Sequence, residues 1–92
     1  MDRSMKTAIH KYPIRLLEQQ TVTMPLSANI LCAQMQNRKL CIWAKVDSDE
    51  SQTIDRTILI FGTGNPMPMA HGDYIDTVQV DSFVWHVFAH KQ

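Results

Sequence analysis

Polar and apolar residues alternate along this chain in short runs rich in β-branched side chains, broken at intervals by proline, glycine or asparagine. Lys6–Tyr12 is a first strand candidate, stopped by Pro13. From Gln19 to Met24, Thr21 and Thr23 fall on one face, Val22 and Met24 on the other, and Pro25 closes the run. Asn29–Gln36 and Lys39–Asp47 flank Asn37-Arg38, a two-residue hairpin turn in which Asn suits the left-handed first position and Arg suits the second less well than Gly. Thr57–Phe61 is an apolar, β-branched run that leads into the breaker-rich segment GTGNPMPMAHG at 62–72. Tyr74–Val80 and Phe83–Ala89 form a last pair around Asp81-Ser82. Leu16, Leu17 and Gln20 fit a single helical turn, but Pro13 and the β-branched run that follows limit it. The pattern predicts a mainly β fold: a small antiparallel sandwich or partly open barrel of about seven short strands, with little or no helix.

The two hairpins assign faces. A turn at Asn37-Arg38 sets Met35 opposite Leu40, Ala33 opposite Ile42 and Leu31 opposite Ala44, an apolar face expected in the core. The other face is mixed, with Trp43 among Gln34, Gln36, Lys39 and Lys45. Cys32 then lies opposite Trp43 and Cys41 opposite Gln34. The two thiols are diagonal neighbours roughly 7–8 Å apart at Cα, beyond the disulfide window, and are expected to be free. A turn at Asp81-Ser82 places Tyr74, Asp76, Val78, Val80, Phe83, Trp85, Val87 and Ala89 on one core face. On the opposite face Thr77 lies directly across from His86, with Gln79 two residues along.

Composition changes the picture mainly by exclusion. Ninety-two residues allow one domain, 1–92, with residues 1–5 read as a flexible tail and Met5 as an alternative start. Nine basic and nine acidic residues give zero net charge, which argues against general nucleic-acid binding and against a polybasic membrane surface. No run approaches a membrane span and the start has no apolar leader core, so a cytoplasmic location is expected. A domain this small is marginal alone, and homo-oligomerisation is a plausible supplement.

Candidate chemistry is sparse. His86 and His90 have the i, i+4 spacing that binds zinc on a helix, but on a strand it separates the rings by roughly 13 Å. With His10 and His71 in other segments, no metal and no cofactor are expected. Asp47, Asp49, Glu50 and Asp55 sit in VDSDESQTID, which lacks the Gly and Glu of a calcium loop and reads as a solvated acidic loop. No nucleophile elbow or cysteine signature appears, so an enzyme is not expected. The sharpest local feature is GTGNPMP: such a turn can aim backbone N–H groups at an anion, although it lacks the Lys-Ser/Thr of a P-loop.

Seven pieces stand in a fixed order: IHKYPI, QTVTMP, ILCAQMQN, LCIWAKVD, GTGNP, YIDTVQV and VWHVF. Across about residues 8–88 the chain resembles a family of small proteins of unknown function from tailed phages and prophages. It departs from that family's pattern at Arg38, where Gly is favoured, and at Asn65, where His is favoured, which argues against a catalytic role for position 65. The resemblance carries over no active site. It implies a phage accessory protein in the cytoplasm of the infected bacterium.

The resulting expectation is a non-catalytic binder that counteracts host defence, either by sequestering a nucleotide-type immune signal or by blocking a host protein. Gly62, Thr63, Gly64 and Asn65 would take phosphate, Trp43 or Tyr74 would stack a base, and Thr77 or His86 would read its polar edges. The alternatives are a virion or assembly component acting through β-face contacts and, less favoured, a small hydrolase.

Overall fold

The computed structural model describes residues 6–91, so the tail and start read at residues 1–5 lie outside the described residues. Seven antiparallel strands follow in order: β1 (Thr7–Pro13), β2 (Gln19–Pro25), β3 (Asn29–Gln36), β4 (Lys39–Asp47), β5 (Thr53–Gly62), β6 (Asp73–Val80) and β7 (Phe83–Ala89). They form a three-stranded sheet, β1-β4-β3, and a four-stranded sheet, β2-β5-β7-β6. The sheets do not close into a barrel. No helix forms among the described residues, and Ile14–Glu18, where one helical turn was conceivable, is irregular.

The first hairpin turns where the sequence predicts. Asn37 and Arg38 both have positive φ, 50° and 66°, so Arg38 accepts the left-handed position without a glycine. Alternation then buries Leu40 and Ile42 of β4 with Ile58 and Ile60 of β5 and Val87 of β7, and Ala44 and Val46 of β4 with Met24 and Ala28 in a second cluster. Tyr12 and Val22 close the core on the β1–β2 side. Desolvation there pushes the Tyr12 phenol up from its ordinary value.

Two β-bulges correct the predicted faces. In β3 the register shifts between Ile30 and Cys32, so Ile30 rather than Leu31 pairs with Ala44. Ile30 packs on the core and Leu31 is 44% exposed. In β6 the shift falls between Tyr74 and Asp76. Ile75 packs inward, while Tyr74, expected in the core, stands outside at 57% exposure. Phe83 at the start of β7 is also exposed rather than core. Beyond the bulges the predicted pairings hold: Cys32 opposite Trp43, Gln34 opposite Cys41, Thr77 opposite His86. Both thiols are free.

β3 and β6 run beside each other, one from each sheet. Asp76 fastens them: its Oδ2 accepts the Ala33 backbone N–H at 3.1 Å and the Gln34 amide at 2.9 Å. A carboxylate thus occupies the place of a ladder partner on that side. The other two outer strands, β1 and β2, have no strand partner on their outer edges among the described residues. The acidic segment is shorter than predicted, because β5 begins at Thr53 and takes Asp55 into the sheet. There its Oδ1 accepts the Thr23 hydroxyl at 2.5 Å.

Candidate functional site

The Gly62–Asn65 loop leaves the end of β5 at the edge where β7 begins. Thr63 N–H donates to Val84 O at 3.2 Å and Asn65 N–H to Gly62 O at 3.0 Å. Those two amides are therefore spent within the fold, and a row of backbone donors aimed at a phosphate does not form there. The glycines serve two different needs. Gly64 has φ +89° with open space around it, so it supplies the left-handed turn. Gly62 supplies room: a Cβ there would stand 3.0 Å from Asn65 Nδ2 and 3.1 Å from Trp85 Cζ3.

On one side of the loop four side chains form a hydrogen-bonded row. Tyr74 OH lies 2.6 Å from Thr77 Oγ1, Thr77 Oγ1 lies 3.1 Å from His86 Nδ1, and His86 Nε2 lies 2.7 Å from Thr63 Oγ1. The register builds this row: Thr77 pairs with His86 across β6–β7, and His86 pairs with Phe61, two residues before Thr63. The β6 bulge turns Tyr74 onto the same face. Phe88 underlies it, with Tyr74, His71 and Phe61 all edge-on to its ring at 5.6, 5.0 and 5.9 Å.

The donor count in this row has a chemical consequence. A neutral imidazole donates from one nitrogen and accepts at the other, and Thr77 has a single hydroxyl hydrogen. If Tyr74 donates to Thr77 and Thr77 to Nδ1, then Nε2–H donates to Thr63 and the Thr63 hydroxyl hydrogen is free. With the opposite tautomer, Thr63 donates to Nε2 and Nδ1–H to Thr77, and the spare hydroxyl hydrogen lies on Tyr74 or Thr77, according to which of them donates to the other. In either arrangement the row offers one unspent donor to an incoming acceptor.

On the other side of the loop stands Trp85. It lines a concavity of about 450 Å³ with Leu16, Leu17, Glu18, Asn65 and Pro66, and a second of about 470 Å³ with Thr63, Asn65, Phe83 and Val84. The Phe83 and Trp85 rings are 6.1 Å apart and inclined by 36°. The Trp85 indole N–H has no acceptor among the described residues. The Thr63 end of the polar row and the aromatic wall thus meet in one depression. Neither lysine nor arginine lines either concavity.

The structure therefore brings Gly62, Thr63, Gly64, Asn65, Tyr74, Thr77 and His86 together. Trp43 is placed elsewhere. It lies on the outer face of the three-stranded sheet, opposite Lys11 and Cys32, and lines neither concavity. Trp85 was missed because alternation assigns it to the core face. That assignment is correct as to face, but Trp85 sits at the open end of the sandwich, where the face is half-exposed. Among the described residues no three His, Cys, Asp or Glu side chains converge as metal ligands would.

A model of one protein family matches residues 5–92. The chain belongs to the DUF7352 family, a domain of unknown function. No curated protein and no solved structure matches this DUF7352 chain.

Proposed function

We propose that this DUF7352 protein is a small, non-catalytic phage accessory protein that holds a nucleotide-type ligand at the Gly62–Asn65 loop, so removing a host immune signal in the infected bacterium. One observation carries the ligand class: the Thr63 hydroxyl, set by His86, and the Trp85 ring line the same depression. An aromatic platform beside a neutral donor and an Asn amide suits a nucleobase, which needs stacking plus a few polar edge contacts. The absence of a lining cation favours recognition through base or ribose, with phosphates left toward solvent. The phage setting is supported by the ordered sequence resemblance alone.

A thermal-shift series with a cyclic dinucleotide, adenosine and NAD as probes tests the proposal. A rise of several degrees with at least one probe, lost in Trp85→Ala but kept in Trp43→Ala, is expected. No shift with any of the three would reject the nucleotide reading.

A second reading, protein contact, is favoured by the three-stranded sheet's outer face, where Ile9 and Leu31 are exposed near half-buried Trp43. The unpaired edges of β1 and β2 add a route to self-association. Sizing chromatography separates an oligomer from a monomer. Recovery of the protein in purified virions would favour a structural role over signal capture.

A further inference from the structure

The opposite end of the sandwich carries a second depression, of about 660 Å³, whose construction points to a ligand. Its floor is the Arg56 guanidinium, held on the inner face of β5. Arg56 Nε–H donates to His90 O at 2.8 Å and Nη1 donates to Ala28 O at 3.2 Å. A guanidinium carries five N–H donors, and the others have no acceptor among the described residues. Asp73 lies on the same wall, yet its carboxylate takes Lys91 at 3.6 Å and makes no ion pair with Arg56. Partial burial pushes the Arg56 pKa down, with Asp73 opposing that shift. Arg56 is half-buried and keeps unspent N–H donors, so the depression offers a further acceptor a charge-assisted site.

The walls are mixed, with Ser27, Asn29 and Asp73 beside a group of aliphatic side chains. Leu26, Ile30, Ile54 and Ile75 line the depression together with Arg56. Two of these four reach the depression through the β-bulges: Ile30 directly precedes the shifted register of β3, and Ile75 is the extra residue of β6. Bulges on two strands from different sheets both re-aim a side chain into one cavity, a use of the bulge associated with binding sites. Lys91 stands at the rim as a second cation.

We infer that this mouth binds a small amphipathic carboxylate, its carboxylate forked by the free Nη hydrogens of Arg56 and its aliphatic body lying against Ile30, Ile54 and Ile75. The planar guanidinium matches a carboxylate in two parallel hydrogen bonds, and the aliphatic side chains bury the attached chain. This site is independent of the Gly62–Asn65 loop.

The test is an NMR titration of the full chain with three probes: hexanoate, acetate and hexan-1-ol. Hexanoate is expected to shift the Arg56 side-chain Nε–H signal and the methyls of Ile54 and Ile75. It should bind at least about tenfold tighter than acetate, which lacks the body, or hexan-1-ol, which lacks the charge. Arg56→Lys keeps the cation but not the fork, and about a tenfold loss is expected. Because Arg56 also clamps two backbone carbonyls, Ile54→Trp serves as the second variant, filling the mouth without touching the clamp. This variant should abolish the hexanoate shifts. No response to hexanoate, equal binding of hexanoate and acetate, shifts confined to other regions, or undiminished binding by a folded Ile54→Trp protein would each overturn the inference.

Discussion

The Asp76 carboxylate takes the backbone N–H of Ala33, a fully buried residue of the other sheet, at 3.1 Å. The same oxygen accepts the Gln34 amide, and Oδ1 accepts the Thr77 N–H at 2.9 Å. One side chain thus closes the seam between β3 and β6. Asp76→Ala is expected to cost about 1–3 kcal/mol, chiefly because the Ala33 amide loses its partner in a dry place. Asp76→Asn keeps an acceptor oxygen and should lose less. Equilibrium urea denaturation of the three proteins checks the order.

Much of this architecture is readable from alternation and punctuation. Asn37-Arg38 and Asp81-Ser82 each sit between alternating runs, and three of the four flanking strands begin and end at the predicted residues. The bulges were not legible. Ile30, Leu31 and Ile75 are all apolar, so either face accepts them by hydrophobicity, and neither bulge is marked by Gly or Pro. The polar row was half legible: Thr77 opposite His86 follows from the hairpin, whereas Thr63 joins only through the β5–β7 pairing, which no local signal encodes.

Two glycines with similar left-handed backbones should respond very differently to a methyl group. At Gly72, φ +80°, a Cβ would stand 2.5 Å from Ala89 O and 2.7 Å from Ala89 C, backbone atoms that cannot step aside. At Gly64, φ +89°, nothing lies within 4 Å. Gly64→Ala therefore costs only the conformational term, about 1–2 kcal/mol, while Gly72→Ala adds overpacking and is expected to cost about 2–5 kcal/mol. Thermal melts of the two variants decide this. Equal losses would mean that the close approach at Ala89 is relieved.

Thr77 is the hub of the polar row, and Thr77→Val removes its hydroxyl at nearly constant shape. Thr77 and Tyr74 are solvent-exposed, so the stability loss should stay within about 1 kcal/mol. The tautomer balance of His86 should change, because Nδ1 loses its partner while Nε2 keeps Thr63. Nitrogen-15 shifts of the two ring nitrogens report this directly. Unchanged shifts would show that Thr77 does not set the ring.

The chain's two tryptophans separate the candidate ligand surfaces optically. Trp85 lines both concavities beside the loop, and Trp43 lies on the other sheet. With a bound nucleotide probe, fluorescence quenching should persist in Trp43→Phe and vanish in Trp85→Phe. Quenching retained by Trp85→Phe would move the site to the three-stranded sheet, with Trp43 as the stacking platform.

The thiols offer a last test of the register. Cys32 is half-buried on β3 and Cys41 is buried on β4, its Sγ 3.7 Å from Lys39 O. Cys41 pairs with Gln34 rather than with Cys32. An aromatic disulfide reagent added to the native protein should therefore modify Cys32 first and Cys41 only as the fold opens, with both reacting at once in denaturant. Cys32→Ser should remove the fast phase and Cys41→Ser should leave it. Mild oxidation should not join the two thiols, since diagonal neighbours lie beyond easy bridging distance. An intramolecular disulfide found by mass spectrometry would require β3 to slide two residues against β4, because Cys41 lies opposite Gln34. That slide would keep Ala33 and Met35 on their face but give each a new partner and move the turn off Asn37-Arg38.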